Sequence, residues 1–363
     1  MKILWLTNIP SPYRVDFFNE LGKLCELTVL FEKKNASDRD DSWLNFEIKN
    51  FHAIFLKGIS CGVAEAFCPN VVRYLHKKMS DKIIVTNYSD PTGILAVTTM
   101  RLRNIPYIIE GDGGFAGNGK GIREIVKKWI LKNSALCFST SQTHDDYYKK
   151  YGVTQERIVR YPFTSLHKSD ILDSPVSQEK KNLLRKKLGI TEEKMIISVG
   201  QFIPRKGFDI LIETMAKLDR SIGCYIIGGV PTHEYTQMVS DRNLCNVHFM
   251  GFMNKHDLFE YYMAADLFIL PTREDVWGLV VNEAMANGLP VITTNGCIAG
   301  LTLIKSHGVG KIVPVEDVDS LASAINEKLT TLSKDSNEAV LQTIHNYTIE
   351  EMAKVHIEVF EKY

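Results

Sequence analysis

The sequence has few of the features that mark secreted, membrane-spanning or nucleic-acid-binding proteins. Its seven cysteines, an odd number without a Cys-x-x-Cys pair, predict reduced thiols in a cytoplasmic protein rather than a disulfide framework. No apolar run approaches the roughly 18 residues that a transmembrane helix needs. Lysine plus arginine equals aspartate plus glutamate at 43 each, so no net charge draws the chain to nucleic acid.

The length of 363 residues suggests two domains, and the residue pattern suggests an α/β fold for each. Short apolar runs such as Lys2–Thr7 alternate with amphipathic segments such as Pro12–Cys25. This alternation predicts parallel sheets whose ligands lie beyond the carboxyl ends of the strands. A stretch rich in Ser, Asp and Pro interrupts the pattern, so we expect domains at 1–165 and 166–345, followed by a final segment, 346–363.

Two acidic residues bracket a predicted helix start in Pro271–Thr294, PTREDVWGLVVNEAMANGLPVITT. Asp275 comes just before this helix and Glu283 lies within it. The first amides of a helix lack intrahelical acceptors, and together with the helix dipole they favour an anion such as a diphosphate. The predicted anion-binding residues are Gly278, Leu279 and Val280.

This stretch resembles the signature of the retaining glycosyltransferases of family 4. Trp277-Gly278 and the run from Glu283 to Val291, EAMANGLPV, stand in register with that signature. The first acid is Asp275, one methylene shorter than the usual Glu, with Glu274 as a neighbouring alternative. The resemblance implies that Asp275 binds hydroxyls of the donor sugar and that Glu283 binds the ribose.

The same resemblance implies the GT-B fold: two Rossmann-like domains with parallel sheets facing across a cleft, and a C-terminal helix that crosses back to the first domain. The loop from Gly200 to Gly207, GQFIPRKG, resembles the family's phosphate loop, in which Lys206 and Arg205 would hold the diphosphate. The family's usual Arg is Gln201 here. Gly251-Phe252 would lie against the nucleotide base.

The implied donor is a nucleotide-sugar. A UDP-sugar is the first choice because it is common in the family, and no cofactor or metal ion is expected. The implied acceptor is a glycan or a lipid-linked saccharide used in surface polysaccharide assembly. Two alternatives remain open: a non-catalytic module that binds nucleotide-sugars, and an epimerase or phosphorylase of the same fold. Asp38-Arg39-Asp40 matches the metal-binding motif of another glycosyltransferase fold, but it lies among charges and is interpreted as a solvated loop.

The amino-terminal half offers weaker candidates. Glu110 and Asp112, in the loop EGDGGFAGNGKG, are the carboxylates expected to face the reacting centre, or else they only form hydrogen bonds within the loop. Dinucleotide-binding and P-loop interpretations of this loop fail, the second because Gly121 replaces the Ser or Thr that would hold magnesium. Arg14 is a candidate for an additional diphosphate contact.

The segment 121–133 predicts a basic amphipathic helix. We expect its apolar face to pack on the sheet, while its basic face is compatible with peripheral contact at the inner face of the membrane. Its predicted apolar face consists of Ile122, Ile125, Val126, Trp129 and Ile130.

Overall fold

The computed structural model describes residues 1–35, 46–117, 119–306 and 308–363. The chain divides into two compact units, Met1–Ser165 with Tyr347–Tyr363 and Leu166–Asn346. The Asp38-Arg39-Asp40 motif lies outside the described residues. Within these ranges, no helix combines the length and the apolar character needed to cross a membrane.

The first unit contains a seven-stranded parallel sheet and a separate antiparallel pair of short strands. Its strands are β1 (Lys2–Thr7), β2 (Glu26–Phe31), β3 (His52–Phe55), β4 (Ile59–Ser60), β5 (Ala66–Phe67), β6 (Lys82–Val85), β7 (Ile108–Glu110), β8 (Leu136–Ser139) and β9 (Ile158–Arg160). The large sheet has the order β3-β2-β1-β6-β7-β8-β9, and β4 pairs with β5. Strand β1, KILWLT, is buried in every residue but the first, as expected for a strand covered on both faces.

The second unit contains a six-stranded parallel sheet. Its strands are β10 (Lys194–Val199), β11 (Ile222–Ile227), β12 (Val247–Met250), β13 (Leu267–Leu270), β14 (Val291–Thr294) and β15 (Gly310–Val313). They lie in the order β12-β11-β10-β13-β14-β15, so the chain reverses direction across the sheet between β10 and β13. Ligands of such sheets bind beyond the strand ends at this reversal, and the loops after β10 and β13 carry most of the predicted site.

Helices connect the strands in both units. Their bounds are α1 (Pro12–Leu21), α2 (Pro91–Leu102), α3 (Ile122–Lys132), α4 (Gln142–Lys150), α5 (Gln178–Leu188), α6 (Phe208–Met215), α7 (His233–Asp241), α8 (Lys255–Ala264), α9 (Leu279–Ala286), α10 (Ile298–Leu303), α11 (Val318–Thr331), α12 (Lys334–Ile344) and α13 (Ile349–Lys362). Helix α2 shows why the ends fall where they do: Pro91 occupies its first turn and the Asp90 side chain accepts a hydrogen bond from Gly93 N at 2.6 Å.

The last helix packs in the first unit. Helix α13 lies against α1, and the His356 ring stacks on Phe138 with a centroid distance of 4.2 Å. His356 is fully buried, with Trp5 and Phe17 within 6 Å of its ring. The carboxyl-terminal segment is therefore part of the first hydrophobic core.

Helix α3 departs from the expected packing. Ile130 and Leu131 are buried in the core and Val126 packs partly against it, but Ile122 and Ile125 are exposed. The prediction that the whole apolar face packs on the sheet is wrong, because the buried side of this helix is centred on its carboxyl-terminal half.

Candidate functional site

The loops that follow β10 and β13 are held against each other. Arg273 N donates a hydrogen bond to Arg205 O at 2.8 Å, and Thr272 Oγ1 donates to the same carbonyl at 2.9 Å. Gly207 permits this approach, because its φ is +70° and a Cβ there would lie only 2.1 Å from Pro271 O. The two loops therefore form one continuous surface at the carboxyl edge of the second sheet.

An ion pair between Lys206 and Asp275 lies in this surface. The Lys206 Nζ to Asp275 Oδ2 distance is 2.6 Å, and the two side chains are only 12% and 10% exposed. Gly200 lies beside the lysine, since a Cβ at this position would come within 3.3 Å of Lys206 Cδ. Asp275 is fixed through its backbone, which donates to Gly296 O at 2.7 Å. A charge pair this dry is costly to break by removing one partner.

Arg205 is a second and more accessible cation. Its NH1 donates to Glu274 O at 2.7 Å and lies 3.5 Å from Asp275 Oδ1, while 45% of its side chain is exposed. Glu274 itself is exposed, whereas Asp275 is buried beside Lys206. The acid that the structure places with the two cations is therefore Asp275, not Glu274.

Helix α9 begins next to this ion pair. Gly278, the residue before the helix, has φ +99°, and Trp277 anchors the start by donating from Nε1 to Asn282 Oδ1 at 2.8 Å. Val281 N makes the bond to Gly278 O, so the amides of Leu279 and Val280 precede the helical hydrogen-bonding pattern. This arrangement gives the positive end of a helix dipole on the same edge as Lys206.

Glu283 lies one turn into α9 and is half-buried. Tyr262 OH, from helix α8, donates to Glu283 Oε2 at 3.4 Å, and burial raises the pKa of this tyrosine so that it stays a donor. Glu283 is thus an oriented carboxylate on the turn that follows the helix start, where it can accept hydrogen bonds from hydroxyl groups.

Gly251 and Phe252 follow β12 and are both exposed, Phe252 to 57%. Strand β12 is two positions from β10 in the sheet, about 10 Å away at ordinary strand spacing. Gly251 and Phe252 therefore lie at the same carboxyl edge of the sheet as the Lys206–Asp275 ion pair, but two strands away from it. Across the described part of the chain, no group of three or more His, Cys, Asp or Glu side chains could hold a metal ion.

The amino-terminal candidates form a separate polar cluster in the first unit. The Arg14 guanidinium is 4% exposed and pairs with both Glu110 and Asp112. Tyr13 OH donates to Asp112 Oδ2 at 2.8 Å, and Tyr161 OH lies 3.2 Å from Glu110 Oε1. Arg14 is therefore committed to internal carboxylates and is not an open phosphate contact.

Glu110 is fully buried, so its carboxylate makes internal contacts instead of facing solvent. Burial alone would raise its pKa, but Arg14 and His356 hold the pKa below its usual value. His356 Nε2 lies 3.1 Å from Glu110 Oε2, and its Nδ1 lies 2.7 Å from Met352 O. Both partners are hydrogen-bond acceptors, so His356 connects Glu110 to the backbone of helix α13.

Asp112 is the carboxylate of this cluster that reaches the surface, with 32% of its side chain exposed. Its expected position at the reacting centre stays a prediction, and for Glu110 the observed burial argues against that position. Sequence reasoning missed His356, because it lies 246 positions from Glu110 in an ordinary amphipathic helix.

The second unit carries a match to a known protein family. Residues 180–340 match the family model described as glycosyl transferases group 1. The lipopolysaccharide glucosyltransferase WaaG of Escherichia coli is 30% identical over 46% of this chain and 45% of its own length. A GDP-mannose-dependent mannosyltransferase of Corynebacterium glutamicum is 34% identical over 43% of each chain. The chain spans about half the length of the curated relatives it matches.

Among solved structures, Anabaena Alr3699/HepE in complex with UDP and glucose superposes with a TM-score of 0.79 at 17% identity over 100% of both chains. This likeness confirms the predicted α/β class and the GT-B fold. The predicted family resemblance is confirmed for residues 180–340, which carry the Lys206–Asp275 pair and helix α9 and match the model of the glycosyl transferases group 1 family.

Proposed function

We propose that the protein is a retaining glycosyltransferase that moves a sugar from a nucleotide-sugar to a glycan or lipid-linked saccharide. The first candidate for the donor is a UDP-sugar. The observation that carries the proposal is the Lys206–Asp275 pair beside the start of α9, inside the segment that matches the family. Cations and free helix amides on one edge suit a diphosphate, and adjacent carboxylates suit hydroxyl groups.

The donor diphosphate would contact Lys206, Arg205 and the amides of Leu279 and Val280. Lys206 Nζ donates a hydrogen bond to Asp275 Oδ2, and this contact holds the lysine in position for the donor. When phosphate oxygens take over the lysine, the Asp275 carboxylate becomes available to the hydroxyls of the sugar. Donor binding would therefore direct Asp275 to the sugar hydroxyls and Lys206 to the diphosphate at the same time.

The chemical step needs stabilisation of the leaving nucleoside diphosphate, whose negative charge grows in the transition state. Preorganised cations and amides supply this stabilisation without a metal ion, because they are aimed before the reaction begins. In the front-face route that the family resemblance implies, a donor phosphate oxygen takes the proton of the acceptor hydroxyl. This route requires no protein base, and Glu110, buried under Arg14 and His356, would not serve as one.

Glu283 would bind the ribose hydroxyls, oriented by Tyr262, and the main chain at Gly251 and Phe252 would contact the base. Uridine is the first choice because the Anabaena structure holds UDP, while the mannosyltransferase relative takes its sugar from GDP-mannose. A lipopolysaccharide glucosyltransferase and an O-antigen glycosyltransferase among the relatives support an acceptor for surface polysaccharide at the cytoplasmic face of the membrane.

The donor site can be tested by measuring melting shifts with UDP, GDP and ADP, each with and without EDTA. Ligand at about 100 times its dissociation constant adds roughly 2.7 kcal/mol of stability, which is readily measured. We expect one nucleotide to shift the wild type equally with EDTA present, and Glu283→Ala to lose that shift. No shift with any nucleotide would refute the donor site.

Turnover tests the catalytic part of the proposal. Lys206→Ala should lower the rate of sugar transfer, or of slow donor hydrolysis, by about 10²–10³, because it removes a donor to the developing charge. The control is Lys217→Ala, which removes an exposed lysine paired with Asp319 in the same unit. Nucleotide binding without any transfer or hydrolysis in the wild type would instead indicate a non-catalytic binding module.

A further inference from the structure

Helix α3 presents three large apolar side chains to solvent on one side. Ile122 is 80% exposed, Ile125 is 68% exposed and Trp129 is 39% exposed. Their spacing of three and then four residues places them on one face of the helix. The helix is anchored without them, since Ile130 and Leu131 supply its buried contacts. The two isoleucines therefore contribute little to the packing of the first unit, while Trp129 is partly covered.

Cations border this apolar strip. Lys128 and Lys132 are exposed and lie next to the strip around the helix, and Arg123 is exposed near its amino-terminal end. The single acid of the helix, Glu124, does not offset them at the surface. It accepts a hydrogen bond from Tyr151 OH and lies 3.5 Å from Lys127 Nζ, contacts that lower its pKa.

Charge alone does not distinguish α3, as helix α5 shows. Both helices have 11 residues and α5 is also rich in lysine and arginine, yet it exposes a single large apolar side chain, Leu183. Two of its cations, Lys181 and Arg185, are buried against Asp266. Helix α3 differs from α5 because its exposed isoleucines and tryptophan lie next to solvent-exposed lysines.

We infer that the α3 strip, defined as Ile122, Ile125, Lys128, Trp129 and Lys132, docks on a bilayer surface that contains anionic lipid. Isoleucine side chains enter the boundary of the acyl chains, tryptophan favours the headgroup level, and lysines at the edge meet lipid phosphates. Each lysine near an anionic surface contributes to binding, and this contribution is screened by salt.

The position of α3 in the chain connects this surface with the proposed acceptor. Asp112 lies in the chain connection between β7 and α3, so docking of the strip brings the end of that connection to the headgroups. A lipid-linked saccharide would then meet the first unit at the depth where its carrier leaves the bilayer. This consequence rests on the proposed function, but lipid binding itself does not, because it is measured without donor or acceptor.

The experiment is co-sedimentation of the full chain with vesicles of phosphatidylcholine alone or mixed with phosphatidylglycerol. We expect binding to the mixed vesicles that weakens with salt. The double variant Ile122→Ser/Ile125→Ser should bind at least about tenfold more weakly. Lys128→Gln/Lys132→Gln should lose roughly 30-fold on mixed vesicles only. Leu183→Ser is the matched control and should bind as the wild type does.

Tryptophan emission provides a site-specific readout. Trp5 and Trp277 are buried, and Trp43 lies outside the described residues. A blue shift on vesicle addition that disappears in Trp129→Phe therefore locates α3 at the lipid surface. The altered side chains are exposed, and melting temperatures close to that of the wild type will show that the variants fold. Wild-type protein that stays in the supernatant, or strip variants that bind unchanged, would overturn the inference. Strip variants that convert a dimer to a monomer in light scattering would assign the strip to a second copy of the chain instead.

Discussion

A buried pair of carboxyl groups at the end of β2 makes the stability of the first unit depend on pH. Glu32 is 3% exposed and Asp90 is 9% exposed, and the Asn87 amide donates to both. Ala66 N also donates to Glu32 Oε2 at 3.0 Å. Two negative charges this close and this dry cannot both persist, so the pair retains a proton at neutral pH.

The sign of the effect follows from Glu32. Burial and the Asp90 charge raise its pKa from 4.5 to about 9. The folded state therefore keeps a proton that the unfolded chain releases above 4.5. The stabilisation is complete below that pH and is lost as pH rises through about 9. Each pH unit inside this window costs up to about 1.4 kcal/mol of unfolding free energy.

Glu32→Gln should remove this pH dependence. Glutamine keeps an acceptor for Ala66 N and, being uncharged, neither binds nor releases a proton in this pH range, so position 32 contributes no titration to unfolding. The wild type loses stability between about pH 6 and about pH 8 and the variant does not. The unfolding free energy of the variant minus that of the wild type should therefore increase by about 1 to 3 kcal/mol over this range. Urea unfolding at both pH values measures the change, and amide exchange in β2 assigns it to the first unit.

The control for this prediction is Glu26→Gln, at the other end of the same strand. Glu26 is 70% exposed and lies 3.6 Å from Lys2, so its replacement should change stability little at either pH. A difference between Glu32→Gln and wild type that stays constant between the two pH values would refute the reasoning. It would show that the pair is ionised in the folded state or hydrated there.

Two further predictions concern the other polar clusters. Arg14→Leu removes the guanidinium from buried Glu110, whose contacts with His356 and Tyr161 remain, and should lower the unfolding free energy by about 3–5 kcal/mol in urea, with partial recovery in Arg14→Leu/Glu110→Gln; no recovery would mean that Arg14 acts through packing alone. Gly207→Ala forces a Cβ towards Pro271 O at a positive φ and should lower both the melting temperature and nucleotide affinity, whereas Gly189→Ala, also at positive φ but with open space, should change only the melting temperature.

The parts of the fold that depend on local pattern could be predicted from the sequence. Alternating strands and helices gave the α/β class, and the contiguous stretch from Pro271 to Thr294 gave the helix start at Gly278. Elements with weak local signals were missed. Strand β3 has only four residues, and none of them is fully buried. The sequence of helix α12, KDSNEAVLQTI, begins with polar residues that are also typical of loops.

Contacts between distant residues could not be predicted in this way. The ion pair of Lys206 with Asp275 joins residues 69 positions apart, and only a family resemblance placed both in one site. The resemblance implied that the last helix returns to the first domain, but none of its motifs includes Glu110 or His356, and nothing around either residue in the sequence indicates the other. The burial of Glu110 depends on a helix formed by the last residues of the chain, so a loop position after a strand suggested exposure where the structure has none.

Glu110 and Asp275 show that the position of a carboxylate after a strand does not fix its role; the partners around it do. Glu110 ends strand β7 and Asp275 lies in the loop after β13, and both are buried beside a cation. Glu110 contacts Arg14, His356 and Tyr161 within the first unit, so its carboxylate is committed to internal partners. Asp275 meets Lys206 where Arg205 is still 45% exposed, and an incoming diphosphate can compete for both cations. A buried carboxylate is therefore available to a ligand only when a ligand that enters from solvent can reach the cation paired with it. This criterion favours Asp275 over Glu110 as a functional residue.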